Sequence, residues 1–175
     1  PTDHPRYASL FLRNQLISGI QNGITSQHGL IAHGRGESFD YLLSERTLPT
    51  ANQAARAAAA HMALATNPVI SVNGNTAALV PTEIIALSKL ASATIEVNLF
   101  HRTEKRIKAI ISHLNSHGAT NVKGFSTPSR IPGISHDRAK VASDGLYAAD
   151  AVLVPLEDGD RVEALTNMGK TTLVI

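Results

Sequence analysis

His33-Gly34-Arg35-Gly36-Glu37 sets an arginine between two glycines. Such a segment lets backbone approach a phosphate while the guanidinium forks onto its oxygens. A solvated arginine in a surface loop has the same local sequence, so this string alone does not decide between the two. A second concentration of polar residues closes three apolar runs. Asn73, Gly74 and Asn75 end the run 69–73. Asn98, His101 and Arg102 end the run 94–98, and Glu157, Asp158, Gly159, Asp160 and Arg161 follow the run 151–155. Asn, Gly and Asp are what strand-to-helix turns use for their own backbone needs. Three such edges together, one with His and Arg nearly side by side, point instead to a shared site, because ligands of parallel sheets lie outside the carboxyl ends of the strands.

Other chemistries find less support. His113 and His117 are spaced i, i+4 on a helix but lack a third ligand in sequence, so no transition-metal site is expected. Asp158 and Asp160 are candidate Mg2+ ligands, or else caps of the helix that follows. There is no Walker sequence, no dinucleotide glycine fingerprint and no Gly-x-Ser-x-Gly elbow.

The elements that must position these residues alternate. Leu12, Leu16 and Ile20 share one face of a helix over 4–22, and the Gly-rich stretch 28–37 reads as a loop. An alanine-rich helix spans 50–66, its small side chains suited to close helix packing. From there β-branched strands at 69–73, 94–98, 151–155 and 171–175, with a weaker one at 121–125, alternate with helices near 81–91, 103–118 and 160–168. The helix after Thr103 is the clearest, with Thr103 as cap, Ile107, Ile110, Ile111 and Leu114 on one face and Gly118 at its end. Alternation of this kind predicts an α/β fold: a helical N-terminal part, 1–67, then a mostly parallel sheet with flanking helices, 68–175, in a single domain.

Bulk properties exclude several functions. Of 175 residues 43% are hydrophobic and the net charge is +2, so the chain carries a core and has no basic run for nucleic acid, despite a pI near 9.2. It has no cysteine, no signal-like start and no apolar run long enough for a bilayer, which predicts a cytoplasmic location.

Longer strings carry a resemblance. His4-Pro5-Arg6-Tyr7, then Gly29-Leu30-Ile31-Ala32-His33-Gly34-Arg35-Gly36-Glu37, Pro68-Val69-Ile70-Ser71-Val72-Asn73-Gly74-Asn75 and Asn98-Leu99-Phe100 are followed by Arg130-Ile131-Pro132-Gly133, Arg138-Ala139-Lys140-Val141 and Val152-Leu153-Val154-Pro155-Leu156-Glu157-Asp158-Gly159-Asp160-Arg161. Together they resemble the archaeal phosphopantothenate synthetases along essentially the whole chain. The resemblance implies a homodimeric, Rossmann-like ligase that joins 4-phosphopantoate and β-alanine at the cost of ATP, through an acyl adenylate, on the route to coenzyme A. It assigns Arg13 and Arg35, with Gly34 and Gly36, to ATP, with which Mg2+ would arrive. Asn73, Asn75, Asn98, Arg102, Arg130 and Arg138 are left for the phosphorylated substrate, and Arg35, His101 and Lys140 are the candidate catalytic groups, with His33 a second candidate for the amine proton. Members of that family continue past the strand at 171–175 with a segment that helps hold ATP, so part of the nucleotide site is expected beyond Ile175. A small-molecule kinase releasing ADP, or a nucleotide-binding regulatory module, would use the same arginines.

Overall fold

A computed structural model of the chain describes residues 2–124, 128–156 and 159–175. The strands are β1 (Pro68–Val72), β2 (Thr94–Val97), β3 (Pro128–Arg130), β4 (Lys140–Ala142), β5 (Ala151–Val154) and β6 (Thr171–Val174). Four of them form one parallel sheet in the order β2-β1-β5-β6, with Ile70 level with Ile95 on one side and Leu153 on the other. β3 and β4 pair antiparallel as a separate ribbon. The helices are α1 (Tyr7–Gln21), α2 (Gln27–Leu43), α3 (Pro49–Leu64), α4 (Gly74–Leu79), α5 (Pro81–Ala91), α6 (Glu104–Ser116) and α7 (Gly159–Asn167).

β1 and β5 are buried along their whole length, so their β-branched runs supply both faces of the sheet. Alternation sends Ile70, Val72 and Leu153 to the face covered by Ile107, Ile110 and Leu114 of α6 and Ile84 of α5. Val69, Val152 and Val154 point the other way, against Ile131, Val141, Leu146 and Leu165. α6 is as the sequence predicts: Thr103 accepts from Arg106 N at 3.3 Å, and Gly118 leaves the helix at φ +91. The mixed α/β architecture, helices first and a parallel sheet after, is the expected one.

The stretch 28–37 is a correction. It is helical, the first half of α2, capped by Ser26 accepting from Gly29 N at 3.3 Å. Gly34 and Gly36 interrupt the hydrophobic period and each costs about 1 kcal/mol against alanine, but neither breaks a helix. Three short elements went unread. α4 grows from the Asn73 cap, while β3 and β4 are too short to show a period. In the expected strand at 121–125, Lys123 bridges to Glu96 and exchanges backbone bonds with Ile95 and Val97 at 2.9 and 2.8 Å, while residue 125 lies outside the described residues. Among the described residues no helix is long and apolar enough to cross a membrane.

Candidate active site

A cleft of about 600 Å³ opens at the carboxyl edge of β1 and β2 and is roofed by α2. Asn73, Asn75, Asn98 and His101 line it from the sheet side; His28, His33, Arg35 and Gly36 line it from α2. The two walls are tied by polar bonds. Thr25 Oγ1 donates to Asn75 Oδ1, and Asn75 Nδ2 donates to Gly29 O at 2.8 Å. A Cβ on Gly29 would run into that Asn75 oxygen, so glycine is what permits the close approach. Asn73 accepts from Thr76 N at 3.0 Å as the cap of α4 and donates to Pro155 O at 2.9 Å, joining the ends of β1 and β5. The amides of Asn73 and Asn75 therefore shape the wall from within the protein.

Asn98 differs. It is 2% exposed, and its Nδ2 donates to Ser71 Oγ at 3.2 Å while Oδ1 has no partner. The rings of His28 and His101 stand 5.3 Å apart, and Phe100 meets His101 edge-on at 4.7 Å. His33 also lines the cleft, with its Nδ1 buried and unpartnered.

Gly34 and Arg13 lie off the cleft lining. Arg13 pairs with the buried Glu37 of α2, as does Arg6 at 2.9 Å, and Ser9 donates to the same carboxylate. These bonds, the Ser9 hydroxyl first and then Arg6, pull the Glu37 carboxyl down from 4.5 to about 2.

The expected second basic group gathers beyond the cleft, around the β3–β4 ribbon. Arg138 is buried, pairs with Asp160 at 2.9 Å and lies 4.7 Å over the Phe100 ring. Arg130 donates to His136 O at 3.3 Å, Lys140 reaches Asp137 at 2.7 Å, and Arg102 donates to Gly124 O. Lys140, Arg130 and Arg102 together hold the Asp137 carboxyl below its ordinary value. Phe100 spans from this group to the cleft, touching Arg138 on one side and His101 on the other.

Asp160 already faces Arg138, Asp158 lies outside the described residues, and among the described residues no three His, Asp or Glu side chains gather around a cation position.

The sequence reading passed over Arg106. It lines the cleft half-buried, with Nη1 donating to His101 O at 3.0 Å and Nη2 to Ile24 O at 3.3 Å. One signal was present: Lys105 and Arg106 sit in the first turn of a helix, where the macrodipole disfavours cations and a cation needs another reason to be there.

Residues 50–175 match the family model described as phosphopantothenate/pantothenate synthetase. The chain is 53% identical, over its whole length, to a 4-phosphopantoate–β-alanine ligase of Thermococcus onnurineus and covers 67% of that protein. It is 55% identical to the ligase of the same name from Methanosarcina mazei, covering 69%, and 52% identical to that from Methanospirillum hungatei, covering 71%. Identity of this order along the whole chain, on a fold whose cleft lies where parallel sheets bind ligands, leaves one assignment: the chain belongs to the phosphopantothenate/pantothenate synthetase family.

Proposed function

We propose that this chain carries out the ATP-dependent joining of 4-phosphopantoate to β-alanine, giving 4'-phosphopantothenate, AMP and pyrophosphate. The observation that carries the reading is the identity above 50% to ligases of that name across every residue of the chain. The chemistry matches the two groups of cations. A carboxylate is a poor electrophile, so its oxygen attacks the α-phosphorus of ATP, pyrophosphate leaves, and the resulting acyl adenylate is open to an amine that displaces AMP. Both steps build negative charge on phosphate oxygens, which positioned guanidinium groups stabilise. Arg35 serves the triphosphate from α2, and Arg13, which pairs with Glu37 of the same helix, is assigned to it as well. Arg102, Arg130, Arg138 and Lys140 receive the phosphate of phosphopantoate across the Phe100 bridge. His101 stands on the cleft edge, where an imidazole can take the amine proton near neutral pH. Asn73 and Asn75 set the wall against which the substrates lie.

We assign the catalyst to a homodimer. Phe11, Ile31, Phe39, Tyr41 and Leu42 of α1 and α2 are exposed, and α3 shows its alanines to solvent, a surface a second copy would cover.

The test is incubation of the full-length protein with ATP, Mg2+, 4-phosphopantoate and β-alanine. AMP and pyrophosphate should appear in step with 4'-phosphopantothenate, and phosphopantoate alone should support exchange of labelled pyrophosphate into ATP. ADP as the stoichiometric product would overturn the ligase reading in favour of a kinase. Light scattering on the same sample should give the mass of two chains, and the mass of one would remove the dimer.

A further inference from the structure

Among the described residues several arginines near the cleft are answered by acids, and the half-buried Arg106 is not. Arg6 and Arg13 meet Glu37, Arg138 meets Asp160, and Arg102 feels Glu96 and Asp137. Among the described residues no carboxylate faces Arg106, and burial is what acts on its charge. Two of its N–H groups are held by the carbonyls of His101 and Ile24, and its buried Nε has no partner. A guanidinium carries five N–H donors, so donors remain for a ligand. The side chain is also fixed in place: a Cβ on Gly74 would come within 3.0 Å of Nη2 and 2.5 Å of Ile24 O. A half-buried cation without a counter-charge is costly unless an anion arrives to meet it.

Asn98 presents the opposite deficiency in the same cleft. Its Oδ1 is buried and has no donor. One cation lacking an anion, and one acceptor lacking a donor, together describe a small molecule with a single negative charge at one end and an N–H group at the other.

We propose that Arg106 and Asn98 form the amino-acid subsite: the guanidinium takes the carboxylate of β-alanine, and Asn98 Oδ1 accepts from its amine. The inference rests on the ligase reading and goes beyond it in placing the nucleophile. With Arg35 given to the triphosphate, Arg106 has a single charge to offer, and charge balance favours a carboxylate here over a phosphate dianion. Transition-state logic favours the carboxylate of β-alanine over that of phosphopantoate. The phosphopantoate carboxylate must lose its charge on activation, so an arginine gripping it would stabilise the reactant more than the transition state. The β-alanine carboxylate stays charged throughout. An amine held by Oδ1 through one N–H keeps its lone pair for the acyl carbon once a base, with His101 nearest on the chain, has removed the extra proton.

The experiment is steady-state kinetics on the full-length protein with each substrate varied in turn, for wild type, Arg106→Gln, Arg106→Lys and Asn98→Ala. Arg106→Gln should raise KM for β-alanine by about tenfold or more, beyond any change for ATP or phosphopantoate, and Arg106→Lys should recover part of the loss. Asn98→Ala should lower kcat with β-alanine as the amine loses its orienting acceptor. A KM rise shared by all three substrates, or confined to phosphopantoate, would overturn the subsite, as would an unchanged kcat in Asn98→Ala for the role given to Asn98. A readout independent of any variant's folding uses 3-aminopropanamide, which keeps the amine and lacks the charge. Wild type should use it with kcat/KM at least about tenfold below that of β-alanine. Equal use of the two amines by an active enzyme would sink the subsite alone. A wild type that forms no AMP from ATP, phosphopantoate and β-alanine would instead remove the ligase reading, and the subsite with it.

Discussion

The roof of the cleft and its floor are held by different forces. The floor is the sheet, with β1 and β5 buried throughout and α6 laid on it through Ile107, Ile110 and Leu114. The roof is α2, braced by α1, and burial there is sparse: Glu37 in α2, and Ser9, Leu16 and Gly19 in α1. Directed bonds hold it: Arg6 and Arg13 donate to Glu37 and tie α1 to α2, Asn75 donates to Gly29 O, and Arg106 donates to Ile24 O. A net hydrogen bond contributes about 1 kcal/mol, whereas a buried aliphatic side chain contributes about two or three times that. The roof is thus accurately placed yet inexpensive to open, which suits a wall that must admit substrates.

The largest test of that contrast is a pair of truncations. Ile110→Ala removes a side chain with 0% exposure from the floor and should cost about 2–5 kcal/mol. Leu42→Ala, in α2 at 78% exposure, should shift stability by no more than about 0.5 kcal/mol. Urea unfolding of both variants decides it: comparable losses would mean that the roof is as much a part of the core as the sheet.

Arg35 sharpens the comparison from the functional side. It is exposed on the roof and lines the cleft, so its substitution should damage catalysis and leave folding alone. Lysine keeps the charge but not the planar fork, so Arg35→Lys should lose about tenfold or more in kcat/KM, about 1.4 kcal/mol, with an unchanged melting temperature. Wild-type kinetics in this variant would return Arg35 to a solvated surface residue.

How legible each region was follows from the same division. The sheet and α6 could be read because burial writes itself into the sequence: Val69, Ile70 and Val72 crowd one short β-branched run, and Ile107, Ile110 and Leu114 recur at helical spacing. α2 could not be read that way, since the buried residue it contributes is a glutamate and its two interior glycines imitate a loop. In the site, Asn98, His101 and Arg35 were recognisable as polar residues at strand ends or flanked by glycine, and all three line the cleft. Arg102, Arg130, Arg138 and Lys140 were recognisable as a group, but not their answering acids, Asp137 and Asp160. Arg106 stayed hidden because a helix surface normally carries arginine, and only the tertiary fold shows that, among the described residues, no acid comes to meet it.

The smallest expected effect isolates the bonds of the roof. The Glu37 carboxyl sits at about 2 in the folded protein, held there first by the Ser9 hydroxyl and then by Arg6, against an ordinary value of 4.5. Between those two values the unfolded chain binds a proton that the folded chain does not, so the contribution of Glu37 is fully present above pH 4.5 and is lost as pH falls toward 2. Glu37→Gln removes that contribution at every pH. The variant should therefore be less stable than wild type at neutral pH, and the gap should close progressively on acidification through this window. Asp137 and Asp144, also held low by neighbouring lysines, remain in both proteins and cancel in the difference. The effect is modest because the side chains of Arg6 and Arg13 are 43% and 36% exposed, leaving solvent to screen the pairs. Urea midpoints at neutral pH and at several points across the window give the result, and hydrogen exchange places it, since the amides of α1 and α2 should lose protection while those of β1 and β5 keep theirs. A stability gap independent of pH would show that the ion cluster does not seat the roof, and loss of protection spread evenly over the sheet would show that roof and floor unfold as one.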